Sequence, residues 1–173
     1  MISRRAFSAL LLCLAMPTLF AAKPESKGAD PDAILKELYK AHDAEKGPFA
    51  DRNNRALAER YFTKELAGLI VKDAVESQGE VGAYGFDPMY AAQDPQAKNF
   101  KIGPVQWGGI KKRADDEGDE GFALVAVTFK SEGKHRELRF GFEQQDDKTW
   151  RISEIHYPDG TSLLQILRDA YPG

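Results

Sequence analysis

Phe86-Asp87-Pro88-Met89-Tyr90-Ala91-Ala92-Gln93-Asp94-Pro95 separates two halves of different texture in a chain of 173 residues. Two Asp-Pro pairs within this stretch fix turns, because proline presets φ and an aspartate side chain bonds neighbouring amides. Before it, apolar residues recur at helical spacing; after it, they alternate as in strands. That switch of period predicts an α+β domain.

Working towards the N-terminus, Thr63-Lys64-Glu65-Leu66 opens a helix carrying Leu66, Leu69, Ile70, Asp73 and Ala74 at helical offsets. A helical segment runs before it from about Asn53 to Tyr61-Phe62. The first helix starts at Asp30-Pro31, with Asp30 as N-cap and Pro31 at the first helical position. It carries Ile34, Leu35, Leu38, Ala41 and His42 on one face and stops at Gly47-Pro48. Residues 23–30 form a polar, flexible lead.

The first 22 residues read as a cleaved export signal. Arg4 and Arg5 precede an uncharged apolar run from Ala6 to Met16, and the small pair Ala21-Ala22 offers a cleavage site. Ser3-Arg4-Arg5-Ala6-Phe7 is compatible with twin-arginine export or with the general secretion route. Either route leads to the periplasm. Cys13 lies inside this signal, so the mature chain has no thiol for a disulfide, a metal or a nucleophile. Without Arg4 and Arg5 the chain holds 22 basic against 27 acidic residues, a net charge of −5. An acidic chain has no long-range attraction for nucleic acid or anionic lipid. No stable membrane anchor is expected after signal removal.

Towards the C-terminus, Phe100, Ile102, Val105 and Trp107 mark a first strand, interrupted at Gly103-Pro104 and bent at Gly108-Gly109. Asp115 to Gly121 is an acidic turn, not ordered as a calcium loop. Phe122–Phe129 is apolar on both alternating faces and reads as a central strand covered on both sides. Leu138, Phe140 and Phe142 alternate with polar residues in a half-exposed third strand, and Trp150–Tyr157 makes the fourth. Ser162 with Gln165 is a capping box for a short closing helix. The expected architecture is one domain, 31–173: N-terminal helices packed on a curved four-stranded antiparallel sheet, with a short C-terminal helix.

Tyr61-Phe62-Thr63-Lys64-Glu65-Leu66, Asp87-Pro88, Ala92-Gln93-Asp94 and the strand Trp150-Arg151-Ile152-Ser153-Glu154-Ile155 resemble a family of secreted bacterial proteins. That family is known as domain of unknown function 3828 and has a nuclear-transport-factor-2-like (cystatin-like) fold. The resemblance implies a cone-shaped sheet whose concave face encloses a pocket closed by the helices. It implies no activity, because this fold carries enzymes, binding modules and dimerisation domains alike.

On that frame Trp107, Phe140, Phe142 and Trp150 would line the concave pocket, with Gln93, Glu154 and His156 at its rim. Gln93 and Asp94 fit a ligand-facing role, but turn chemistry favours them as structural braces. Strict alternation places Trp150, Ile152, Glu154 and His156 on one face of the fourth strand. The opposite assignment turns Ile155 and Tyr157 inward and leaves Glu154 and His156 exposed. Tyr84, Phe86, Met89, Tyr90 and Trp107 group near the bend, as core or as pocket wall. No metal or cofactor is expected: no two histidines have ligand spacing, His42 reads as partly buried or exposed near a helix end, and His135 sits beside a turn. No residue is assigned a catalytic role.

The resulting expectation is a binding protein. Its partner is a small apolar or amphipathic molecule or another exported protein, with a homodimer as one form of the latter. The enzymatic alternative is a hydrolase or isomerase using Asp94 or Glu154 with His156.

Overall fold

The computed structural model describes residues 23–78, 80–93, 97–108, 111–112, 119–131 and 133–172, those at 111–112 and 119–120 by backbone alone. Three helices come first: α1 (Pro31–Asp43), α2 (Arg55–Tyr61) and α3 (Lys64–Glu76). Among the described residues seven strands follow: β1 (Lys98–Ile102), β2 (Gln106–Trp107), β3 (Lys111–Lys112), β4 (Asp119–Glu120), β5 (Phe122–Ser131), β6 (Lys134–Gln144) and β7 (Trp150–His156). Helix α4 (Leu163–Ala170) closes the chain. The fold is α+β, with an open antiparallel sheet in the order β1-β5-β6-β7 and β2 also paired to β5. β3 and β4 form a separate hairpin that takes in two residues read as acidic turn. Among the described residues, no helix is long and apolar enough to cross a membrane.

Local chemistry sets the helix starts. Asn54 accepts the Leu57 N–H at 3.0 Å, Thr63 accepts that of Leu66 at 3.4 Å, and Ser162 accepts that of Gln165 at 3.3 Å. Asp30 sits at the N-cap of α1 but makes no side-chain cap; its carboxylate pairs instead with Lys23 at 2.7 Å. The lead expected to be flexible is tied down. Lys27 N–H donates to the Lys148 carbonyl at 2.8 Å, and Gln144 Nε2 donates to the Glu25 carbonyl at 2.6 Å.

One face of the sheet is buried under the helices. Val125, Val127, Leu138, Phe140, Phe142 and Ile152 are at most 1% exposed there, against Leu35, Leu38, Leu66 and Ile70 from α1 and α3. Each such aliphatic or aromatic side chain contributes roughly 1.5–3 kcal/mol by leaving water. β5 is an inner strand, as its apolarity suggested. Its second face is nevertheless open rather than covered: Phe122 is 44% exposed, and Leu124 and Ala126 are half-buried.

β7 departs from simple alternation. Gly141 pairs with Glu154 and Phe142 with Ile152, so Ser153 is an extra residue opposite the β6 backbone. The bulge flips the faces. Trp150 and Ile152 point inward on one side of it, Ile155 and Tyr157 point inward on the other, and His156 is exposed. The expectation that Trp150, Ile152, Glu154 and His156 share one face is therefore corrected by a one-residue shift.

Candidate functional site

The C-terminal end of α1, the turn that follows it and the segment 80–93 converge on a polar cluster. His42 Nε2 lies 2.8 Å from Asp87 Oδ2. The other oxygen, Asp87 Oδ1, accepts the Met89 N–H at 2.8 Å, and the Asp87 N–H donates to the Ala92 carbonyl at 2.8 Å. Asp87 thus holds the turn closed and ties it to α1. The neighbouring residue of α1 does the same from the other side: Tyr90 donates its hydroxyl to Asp43 Oδ1 at 2.6 Å. Beneath them Tyr39 donates to the Met89 carbonyl at 2.8 Å and Tyr157 to the Pro88 carbonyl at 3.3 Å. Burial pushes the Tyr39, Tyr90 and Tyr157 phenols up, and the Asp43 carboxylate adds to the rise at Tyr90.

A carboxylate only accepts, so His42 Nε2 donates to Asp87. The other ring nitrogen, Nδ1, is buried with no hydrogen-bond partner.

Two clefts flank this pair. One, of about 620 Å³, is lined by His42, Asp43, Glu45, Phe49, Asp87 and Tyr90. The other, of about 610 Å³, shares His42, Phe49 and Asp87 and extends past Arg52, Tyr84 and Phe86. Phe49 stands between them, its ring edge-on to His42 and to Tyr84 at 6.2 Å each.

A buried carboxylate supports the second cleft from below. Asp73 is fully enclosed and accepts from three separate segments: Ala83 N–H at 2.6 Å, the Tyr171 hydroxyl at 2.9 Å and Arg52 Nη1 at 3.3 Å. Tyr84 lies alongside with its hydroxyl buried and without a hydrogen bond of normal geometry. Burial pushes that phenol up to about 12, against a smaller opposing pull from Arg52.

The expected concave pocket is corrected by the packing. Phe140, Phe142 and Trp150 are at most 1% exposed and line none of these clefts, because α1, α2 and α3 fill the face of the sheet they occupy. Trp107 is half-buried and packs on Trp150 with ring centres 5.5 Å apart, away from the cleft. Glu154 is not a rim base. Its Oε1 accepts the N–H groups of Ile155 and Leu164, both at 3.0 Å, and its Oε2 accepts the Ser162 hydroxyl at 2.8 Å. The carboxylate caps α4, where the helix dipole favours negative charge.

His156 is on the outer sheet face, in register with Arg139, and lines a groove of about 570 Å³ with Glu137 and Thr161. Gln93 is exposed, donates to the Gly85 carbonyl at 3.4 Å, and borders the second cleft. Asp94 lies outside the described residues. Of the aromatic group near the bend, Met89 is core, whereas Tyr84, Phe86 and Tyr90 form cleft walls. His42, Asp43, Asp73 and Asp87 were not singled out as functional from sequence. Their one visible signal is an acid at position 73 within an apolar helical stripe.

No family model, curated protein or solved structure matches the chain.

Proposed function

We propose that the chain is an exported, non-catalytic binding protein on a nuclear-transport-factor-2-like frame of the domain of unknown function 3828 kind. Its ligand occupies the paired clefts at His42–Asp87, not the concave face of the sheet. Helices laid on a bulged, antiparallel sheet and the short matching segments around Asp87-Pro88 support the frame. The signal-like first 22 residues support export.

One observation carries the reading: two clefts of several hundred Å³, the size range of small-ligand sites, meet at a single braced His–Asp pair. Against catalysis, neither lining includes a serine, threonine, cysteine or lysine among the described residues, and both Asp87 oxygens are already engaged. Glu154 with His156 offers no better pair, since three donors occupy the Glu154 carboxylate.

Native mass spectrometry of mature protein isolated gently from the periplasm tests this. The expected result is a bound small-molecule mass that Phe49→Ala, which removes the wall common to both clefts, releases. A clean apo mass in both proteins, or a ligand mass unaffected by Phe49→Ala, overturns it.

A further inference from the structure

The paired clefts are chemically one-sided. Asp43, Glu45 and Asp87 line the first, and among the described residues no lysine or arginine accompanies them. Arg52, the cation on the second, is already bound to the enclosed Asp73 carboxylate at 3.3 Å, and Glu80 adds another acid to that lining. An anionic ligand would therefore meet an excess of acidic side chains at either end, which is costly at short range.

The rings supply the second half of the recognition. Phe49 and Tyr90 stand among the three acids of the first cleft, where a cation within roughly 6 Å of a ring centre gains from the ring quadrupole. Phe49, Tyr84 and Phe86 continue as an apolar wall through the second. Behind these walls, His42 Nδ1 is buried without a hydrogen-bond partner, and the hydroxyl of Tyr84, a residue only 7% exposed, is buried beside Arg52.

Resting on the binding reading above, we infer that the ligand is an amphipathic organic cation. Its ammonium head lies among Asp43, Glu45 and Asp87 against Phe49 and Tyr90, and its apolar or aromatic body runs past His42 along Tyr84 and Phe86. Head and body meet at Phe49, the ring that both clefts share.

Three probes with one body and different heads separate this from its alternatives: 2-phenylethylammonium, 2-phenylethanol and 3-phenylpropionate. Each is titrated into mature protein while the backbone amides of Glu45, Tyr84 and Tyr90 are followed by NMR. The expected result is saturable shifts at all three amides with the cation, at millimolar or tighter dissociation constants, and weaker shifts with the neutral and anionic probes. Added salt weakens the cation alone. A double variant, Asp43→Asn with Glu45→Gln, keeps the shape and the Tyr90 acceptor while deleting two charges. It should lower cation affinity by about tenfold or more, the scale of a few partly screened charges, at an unchanged melting temperature.

Equal or stronger binding of phenylethanol or phenylpropionate at these amides overturns the cation assignment and leaves the cleft as the site. Shifts from none of the three probes up to about 10 mM, weaker than any useful small-ligand affinity, overturn the assignment. If native mass spectrometry also shows no Phe49-dependent ligand, the cleft reading falls with it.

Discussion

Gly82 exists in the space that the Asp73 carboxylate requires: a Cβ added there would lie 2.1 Å from Asp73 Oδ2. No real Cβ approaches so closely, and the carboxylate it would meet is fully enclosed and held by three donors. Gly82→Ala should destabilise the protein by about 2 kcal/mol or more. Asp73→Ala alone should cost about 3 kcal/mol by leaving Arg52 unpaired and the Ala83 N–H unbonded. Because the first variant clashes with the group the second removes, the double variant should cost clearly less than their sum. Urea unfolding of all four proteins closes that cycle, and strict additivity would refute the packing described.

Glu154→Gln keeps the side chain's shape but weakens the acceptor that meets Ile155, Ser162 and Leu164. A loss of about 1 kcal/mol is expected, in the range of a helix cap, and about 2 kcal/mol for Glu154→Ala. Ligand occupancy measured by native mass spectrometry should not change in either. Lost occupancy in a protein of unchanged stability would return Glu154 to the site.

Alkaline pH should unfold the protein through its tyrosines. Tyr84 is pushed up to about 12, and Tyr39, Tyr90 and Tyr157 are also raised from 10.0 by burial. A raised folded pKa means the folded state holds the proton more tightly. The stabilisation is therefore complete below pH 10 and is lost as pH rises from there through the folded values. Melting temperature should be flat in this respect from pH 8 to 10 and fall above it. Tyr84→Phe, which leaves no proton to lose at that site, should flatten the fall. An identical slope in Tyr84→Phe would contradict this account.

Ala91 adopts φ +49°, the left-handed region that a Cβ disfavours by roughly 1–2 kcal/mol. Ala91→Gly should raise stability by about 0.5 kcal/mol, the relief of strain exceeding the larger entropy that glycine loses. A calorimetric melt shifted downward would show that the Ala91 methyl makes contacts worth more than the strain.

The helices were legible where chemistry is local. Thr63 and Ser162 each announce a helix start, and the inward residues of β5 and β6 follow the period of two. β7 defeated the same rule because its alternation is intact on either side of Ser153 and only the pairing with β6 reveals the shift. That single residue carried Glu154 and His156 off the face assigned to them. The site was harder still. His42 and Asp87 are 45 positions apart, and Asp73 and Tyr171 are 98 apart. No spacing rule reaches that far. The stretch from Phe86 to Pro95 was readable as rich in turn-forming residues, but the tether of Asp87 to α1 was not.

The Asp73 clasp also has a mechanical consequence. Its donors come from positions 52, 83 and 171, so one carboxylate joins the loop after α1, the segment that walls the second cleft and the residue that follows α4. A load on any one of the three is passed to the other two through that single side chain.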